Sequence, residues 1–280
     1  VTEQGAAGMT GQGQPQGQPQ GQGQSAAGTT EQQIGAVAAS NGLGAHRAAF
    51  ASIADAQARH ANRVGIGAIV LLVLCLVCLA TGYPALLIIL GGPFLIAVFA
   101  YFRYSGMAGR NDGARLDLFE RGLTSAYRGQ VRAVRYESTG VLQDIVRYTR
   151  YGQTTRITYR YTLTDTTGQQ LTLSGGYANP EQWGPAIQQA VTDVHLPQAV
   201  ARVRAGERVE FGPLWLTAAE VGSGSKSVAW NQVEEIKVSN GFVSLRVTGK
   251  WSSLSTTSVS RISNFFVFLA VADYLRTNSQ

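Results

Sequence analysis

The chain has 280 residues, a formal net charge of +6, and a hydrophobic share of 45% against 14% charged. A basic excess this mild is too weak to point to nucleic acid, and it suits a chain lying beside anionic lipid. Two cysteines, Cys75 and Cys78, make no disulfide framework.

Residues 1–45 are expected to be a disordered tail built on the run GQGQPQGQPQGQGQ. Gly, Gln and Pro bury too little apolar area to offset chain entropy. Residues 46–63 (HRAAFASIADAQARHANR) are Ala-rich and are expected to form a juxtamembrane helix, with Phe50 and Ile53 on one side.

Residues 64–103 are expected to form a transmembrane hairpin. No charge falls between Val64 and Phe102. A membrane helix needs roughly 20 apolar residues, so the run holds two. Thr81-Gly82-Tyr83-Pro84 supplies the turn, giving helices Val64 to Ala80 and Pro84 to Phe102. Arg59 and Arg63 precede the hairpin, and Arg103, Arg110 and Arg115 follow it. Basic flanks stay in the cytoplasm, which predicts a cell-membrane protein with two spans and both termini cytoplasmic. Cys75 and Cys78, in lipid with no partner pair, read as two small apolar residues and not as a redox or zinc motif.

Beyond Gly113 the pattern turns to strands. In Arg156 to Thr164, Ile157, Tyr159, Tyr161 and Leu163 alternate with Arg156, Thr158, Arg160 and Thr162, which is the period of a half-buried strand. It is paired with Val146–Tyr151 across a turn at Gly152-Gln153. Asn179-Pro180-Glu181 then opens a helix with Trp183, Ile187, Val191 and Val194 on one face, interrupted at Pro197. Strands resume at Val209, and Ser263-Asn264 precedes a closing helix with Phe265, Phe268, Leu269, Ala272 and Leu275 on one face. Strands followed by one amphipathic helix thus occur twice, over 114–206 and 207–280, as in a duplicated unit. The fold class expected is α+β: a two-helix hairpin followed by two small antiparallel β units, each closed by a C-terminal amphipathic helix.

The stretches Leu118–Leu123 (LFERGL), Tyr159–Leu163 (YRYTL), Phe211–Leu214 (FGPL) and Trp230–Val233 (WNQV) carry a family likeness, with Gly241, Gly249-Lys250 and Asn264–Asp273 (NFFVFLAVAD). Over Leu116 to Arg276 the chain resembles bacterial pleckstrin-homology-like (PH-like) domains, and a family of bacterial membrane proteins described as a domain of unknown function. Tyr136-Glu137 stands where that pattern has Trp-Asp, and Ser263 where it has Pro. The resemblance implies tandem PH-like domains and transfers no catalytic residue.

No catalytic constellation stands out. Gly222–Ser227 (GSGSKS) lacks the Gly before Lys that a phosphate loop needs, and His195 has no nucleophile beside it. No enzyme activity, cofactor or metal is expected. The candidate binding residues are Arg147, Tyr148, Arg150, Tyr151, Arg156 and Arg160, because Arg on a strand pair can hold phosphate oxygens. The expected function is a membrane-anchored binding or scaffold module for lipid headgroups or a protein partner. The alternative is a structural or sensory subunit of a membrane complex, and nucleic acid is not expected as a partner.

Overall fold

The computed structural model describes residues 21–83, 85–150, 153–165 and 167–278. The chain opens with helix α1 (Gly21–Ser40) and strand β1 (His46–Phe50). Two helices of 27 residues follow, α2 (Ala54–Ala80) and α3 (Ala85–Asn111). Strands β2 (Arg115–Phe119), β3 (Gly122–Tyr127), β4 (Gln130–Arg135), β5 (Thr139–Arg150), β6 (Gln153–Asp165) and β7 (Gln170–Ser174) lead into helix α4 (Pro180–Arg204). Strands β8 (Val209–Phe211), β9 (Leu214–Leu216), β10 (Glu220–Ser223), β11 (Lys226–Ala229), β12 (Val233–Ser239), β13 (Phe242–Val247) and β14 (Ser255–Ser258) precede helix α5 (Phe265–Asn278).

The strands form two units of one plan. The first has a four-stranded antiparallel sheet β1-β2-β3-β4, a three-stranded sheet β5-β6-β7, and α4. The second has a four-stranded sheet β8-β9-β10-β11, a three-stranded sheet β12-β13-β14, and α5. A 3₁₀ turn joins the two sheets at the same point in each unit, Tyr136–Ser138 and Trp230–Gln232, and both leading aromatics are buried. Each core takes side chains from both sheets and the helix. Leu116, Leu163 and Trp183 meet in the first, and Leu216, Leu245 and Phe268 in the second.

The hairpin α2–α3 does not precede the first unit, as the sequence pattern suggested; it is spliced into it. β1 lies before the hairpin and β2 after it, and the two pair directly, from His46↔Phe119 to Phe50↔Leu116. In the second unit the same junction, between β8 and β9, is only Gly212-Pro213. The base of the hairpin is knitted to the sheet. Ser52 Oγ donates to the Asn111 carbonyl at 2.5 Å, Asn111 Nδ2 donates to Gln57 Oε1 at 2.9 Å, and the His60 and Tyr104 rings meet edge to face at 4.4 Å.

The segment expected as a juxtamembrane helix is therefore split. Its first residues become β1, because pairing with β2 and burial of Phe50 override the helical preference of an Ala-rich run. From Ala54 on they are the opening turns of α2, which starts ten residues before Val64. Disorder expected through residue 45 is contradicted over its second half. Residues 1–20 lie outside the described residues, while residues 21–40 form α1. Ile34 and Ala38, four apart, dock with Leu43 on Phe119 and Ala126 of the first sheet. Gly42, at φ 61°, ends the helix, and the Leu43 N–H reaches back to the Ala38 carbonyl at 3.0 Å.

α4 runs unbroken through Pro185 and Pro197 instead of stopping at the second proline. Its first half (Trp183, Ile187, Val191) fills the first core, and Ala199 and Val203 fill the second. Packing at both ends outweighs the hydrogen bonds the prolines cannot make. One rigid helix thus serves both units. A second junction is polar: Arg204 Nη2 donates to Tyr274 Oη at 2.7 Å.

Both helices of the hairpin are long and apolar enough to cross a membrane, with mean hydropathy of 2.7 and 2.4 over their 18-residue windows. The window is 6% buried in α2 and 0% in α3. Ile66, Ile88, Ile96 and Phe99 each expose more than 60% of their surface.

Candidate functional site

β5 and β6 are 12 and 13 residues long, but β7 has only 5 and covers only Arg160–Thr164. The distal half of β5–β6 is therefore a free two-stranded ribbon. Register fixes its faces, because residues directly opposite share a face. Val141↔Leu163, Gln143↔Tyr161, Ile145↔Tyr159 and Arg147↔Ile157 continue the core face outward. Leu142↔Thr162, Asp144↔Arg160, Val146↔Thr158 and Tyr148↔Arg156 form the other. A bulge between Tyr148 and Thr149 then shifts the register toward the tip.

The structure gathers some of the candidate residues and separates others. Arg156 and Arg160 share a face, and Tyr148 joins them, with the Arg156 guanidinium 5.8 Å from the centre of its ring. Arg147 lies on the opposite face. Arg150 closes the ladder against Gln153, and Tyr151 lies outside the described residues. Arg147, Arg156 and Arg160 are exposed and form no ion pair among the described residues. Arg156 and Arg160 sit four residues apart on one strand, about 13 Å at 3.3 Å per residue. That span suits two anionic groups on an extended surface better than a single phosphate.

A second feature was invisible in the sequence because it lies between the units. A cleft of about 800 Å³ runs along β5, lined on one side by Gln143, Ile145 and Arg147, and on the other by Val238, Phe242 and Phe265. β5 is the edge of its sheet, and its edge is satisfied at only one end. Asn264, in a left-handed conformation at φ 49°, accepts the Val141 N–H on Oδ1 at 2.8 Å. Its own N–H donates to the Val141 carbonyl at 2.9 Å. Outward and inward groups alternate along an antiparallel strand, so Gln143, Ile145 and Arg147 turn their N–H and C=O groups into the cleft. The signals in the sequence were the Asn240-Gly241 turn and the length of β5; neither shows that they face each other.

The remaining candidates resolve as structure. His195 Nε2 lies 2.8 Å from the Tyr136 carbonyl and ties α4 to the turn between the sheets. Gly222–Ser227 is the β10–β11 hairpin. Asp117, with its side chain 1% exposed, is held by Arg115 at 2.9 Å and by His46 at 2.8 Å, which ties β1 to β2 in the first sheet. Among the described residues no group of three or more His, Cys, Asp or Glu could hold a metal ion.

The chain matches no curated protein and no solved structure. A family model does match, over residues 22–280, a stretch that takes in the hairpin and both β units: the chain belongs to DUF6585, a family of unknown function.

Proposed function

We propose that the chain is a membrane-anchored binding module of tandem PH-like domains, held against the bilayer by its hairpin and touching anionic headgroups through Arg156 and Arg160. The observation that carries this reading is the place of the hairpin. An apolar helix pair with its surface turned outward interrupts a sheet whose counterpart in the second unit closes with Gly212-Pro213 alone. A buried core helix would hide that surface; lipid accepts it at no such cost. The β1–β2 pairing supports a hairpin whose two ends lie on one side, and the basic flanks favour the cytoplasm as that side. The four-plus-three strand plan ending in a helix, found twice, agrees with the PH-like resemblance. Each Arg near an anionic surface adds about 1 kcal/mol of attraction. The reading includes no catalytic step.

A second reading is favoured by a groove of about 650 Å³ on the hairpin, lined by Gly65, Ala68, Leu72, Phe94 and Val98. There a neighbouring membrane helix would pack, and the chain would brace a larger complex.

The test uses a chain in which Ala54–Asn111 is replaced by a short Gly-Ser linker, copying the β8–β9 junction. This chain is expected to be soluble and folded, and to co-sediment with vesicles containing phosphatidylserine but not with neutral ones. R156E/R160E is expected to abolish that binding. Equal binding to both vesicle types would refute the headgroup contact. A full-length chain that stays in solution without detergent would refute the anchor.

A further inference from the structure

We infer that the cleft beside β5 is a strand-addition site that takes an extended segment of a partner protein in which acidic and apolar side chains alternate. This rests on the binding-module reading and names its protein partner.

Three observations converge. The first is the open edge. Among the described residues, the outward N–H and C=O groups of Gln143, Ile145 and Arg147 have no backbone partner, whereas those of Val141 are taken by Asn264. Unpaired strand edges recruit strands. From Gln143 to Arg147 the edge offers about 13 Å, room for a five-residue strand. The second is the opposite wall. Val238 and Phe242, 48% and 49% exposed, stand across the cleft from Ile145 and Val146, 47% and 38% exposed. A strand laid on β5 covers these apolar side chains from both sides. The third is charge. The ribbon carries Arg147 on the face of Ile145, Arg156 and Arg160 on the face of Val146, and Arg150 near its tip, against the single acid Asp144. An incoming strand with acids beside the ribbon and apolar residues toward Phe242 meets both.

Other occupants fit less well. A second copy would have to bring its own β5, still held in its sheet, into a cleft walled by the second unit. Residues 1–20 of this chain are Gly, Gln and Pro in large part and carry one acid, Glu3. Proline lacks the N–H that the edge would receive.

The experiment selects random nine-residue peptides from a display library against the full-length chain in detergent micelles, counter-selecting on empty micelles. Enriched peptides are then measured by fluorescence anisotropy. Acid–apolar alternation is expected among them. Ile145→Pro, which removes an outward donor and no ladder bond, is expected to weaken binding at least tenfold at an unchanged melting temperature. Phe242→Asp is expected to do the same. Arg147→Glu is expected to reduce the enrichment of acidic peptides. No enrichment over empty micelles overturns the inference, as do enriched peptides indifferent to both Ile145→Pro and Phe242→Asp. A concentration-dependent dimer abolished by Ile145→Pro would assign the edge to a second copy instead. Vesicle binding by the hairpin-deleted chain does not involve Ile145 or Phe242, so the lipid contact and the peptide groove fail separately.

Discussion

Asn264 ties the second unit to β5 of the first through its side chain and its backbone, and its replacement gives a sharp test of that junction. The side chain accepts the N–H of Val141, a residue 1% exposed, and the backbone sits at φ 49°. Asn264→Ala removes the acceptor and leaves a buried donor unpaired, which costs about 1–3 kcal/mol. It also puts an ordinary β-carbon in the left-handed region, at about 1–2 kcal/mol more. The sum is about 2–5 kcal/mol. Asn264→Gly loses only the hydrogen bond and should cost about 1–3 kcal/mol, so the difference between the two variants isolates the backbone strain. Urea unfolding of the hairpin-deleted chain reads the totals, and hydrogen exchange at the Val141 amide reads the bond itself. Both variants are expected to speed that exchange. An Ala variant within about 0.5 kcal/mol of the parent, the range of ordinary surface substitutions, would refute the reasoning. Unchanged exchange at Val141 would refute it independently.

Burial raises the hydroxyl pKa of Tyr136, Tyr161 and Tyr177, with Tyr161 pushed up to about 12. The unfolded chain ionises its tyrosines near pH 10, so the contribution of Tyr161 is complete below about pH 10 and is lost as pH rises through about 12, while Tyr136 and Tyr177 shift in the same direction. Alkaline unfolding followed by tyrosinate absorbance should show that loss, and Tyr136→Phe with Tyr161→Phe should flatten it. Gly184→Ala would place a β-carbon 2.5 Å from Tyr161 Oη, and should destabilise the first unit by about 1–3 kcal/mol, read as a lower denaturation midpoint. Tyr161→Leu should partly relieve the clash. Ile34→Asp should release α1 from the first sheet, exposing residues 21–45 to limited proteolysis while the β units stay resistant.

What the sequence disclosed followed its periodicities. The uncharged run from Val64 to Phe102, the alternation at Ile157–Leu163 and the Asn179-Pro180 helix start all reappear within α2–α3, β6 and α4. These signals are local, and local signals survive translation into structure. The misplaced parts depended on partners distant in the chain. β1 has too little alternation to announce itself, and only the register with β2 makes it a strand. α1 has two docking positions, Ile34 and Ala38, too few to stand out from a polar tail. Pro197 signals a break that packing into two cores overrides. Of the candidate site, the Arg156–Arg160 face was legible from spacing alone, whereas the cleft needed the second unit to be set against β5.

The splice between β1 and β2 has a consequence for biosynthesis. A ribosome releases β1 first, then two 27-residue helices, and only then its hydrogen-bonding neighbour. The first sheet cannot zip shut until that long excursion is complete, so its nucleation is deferred. Under the proposed membrane-anchored reading, a chain threaded with one helix reversed would strand β1 and β2 in different compartments, with Leu116 and Leu118 left wet. Such a product would leave the apolar strand β2 without its neighbour, so on that reading the pairing of β1 with β2 doubles as a check on the threading of the hairpin.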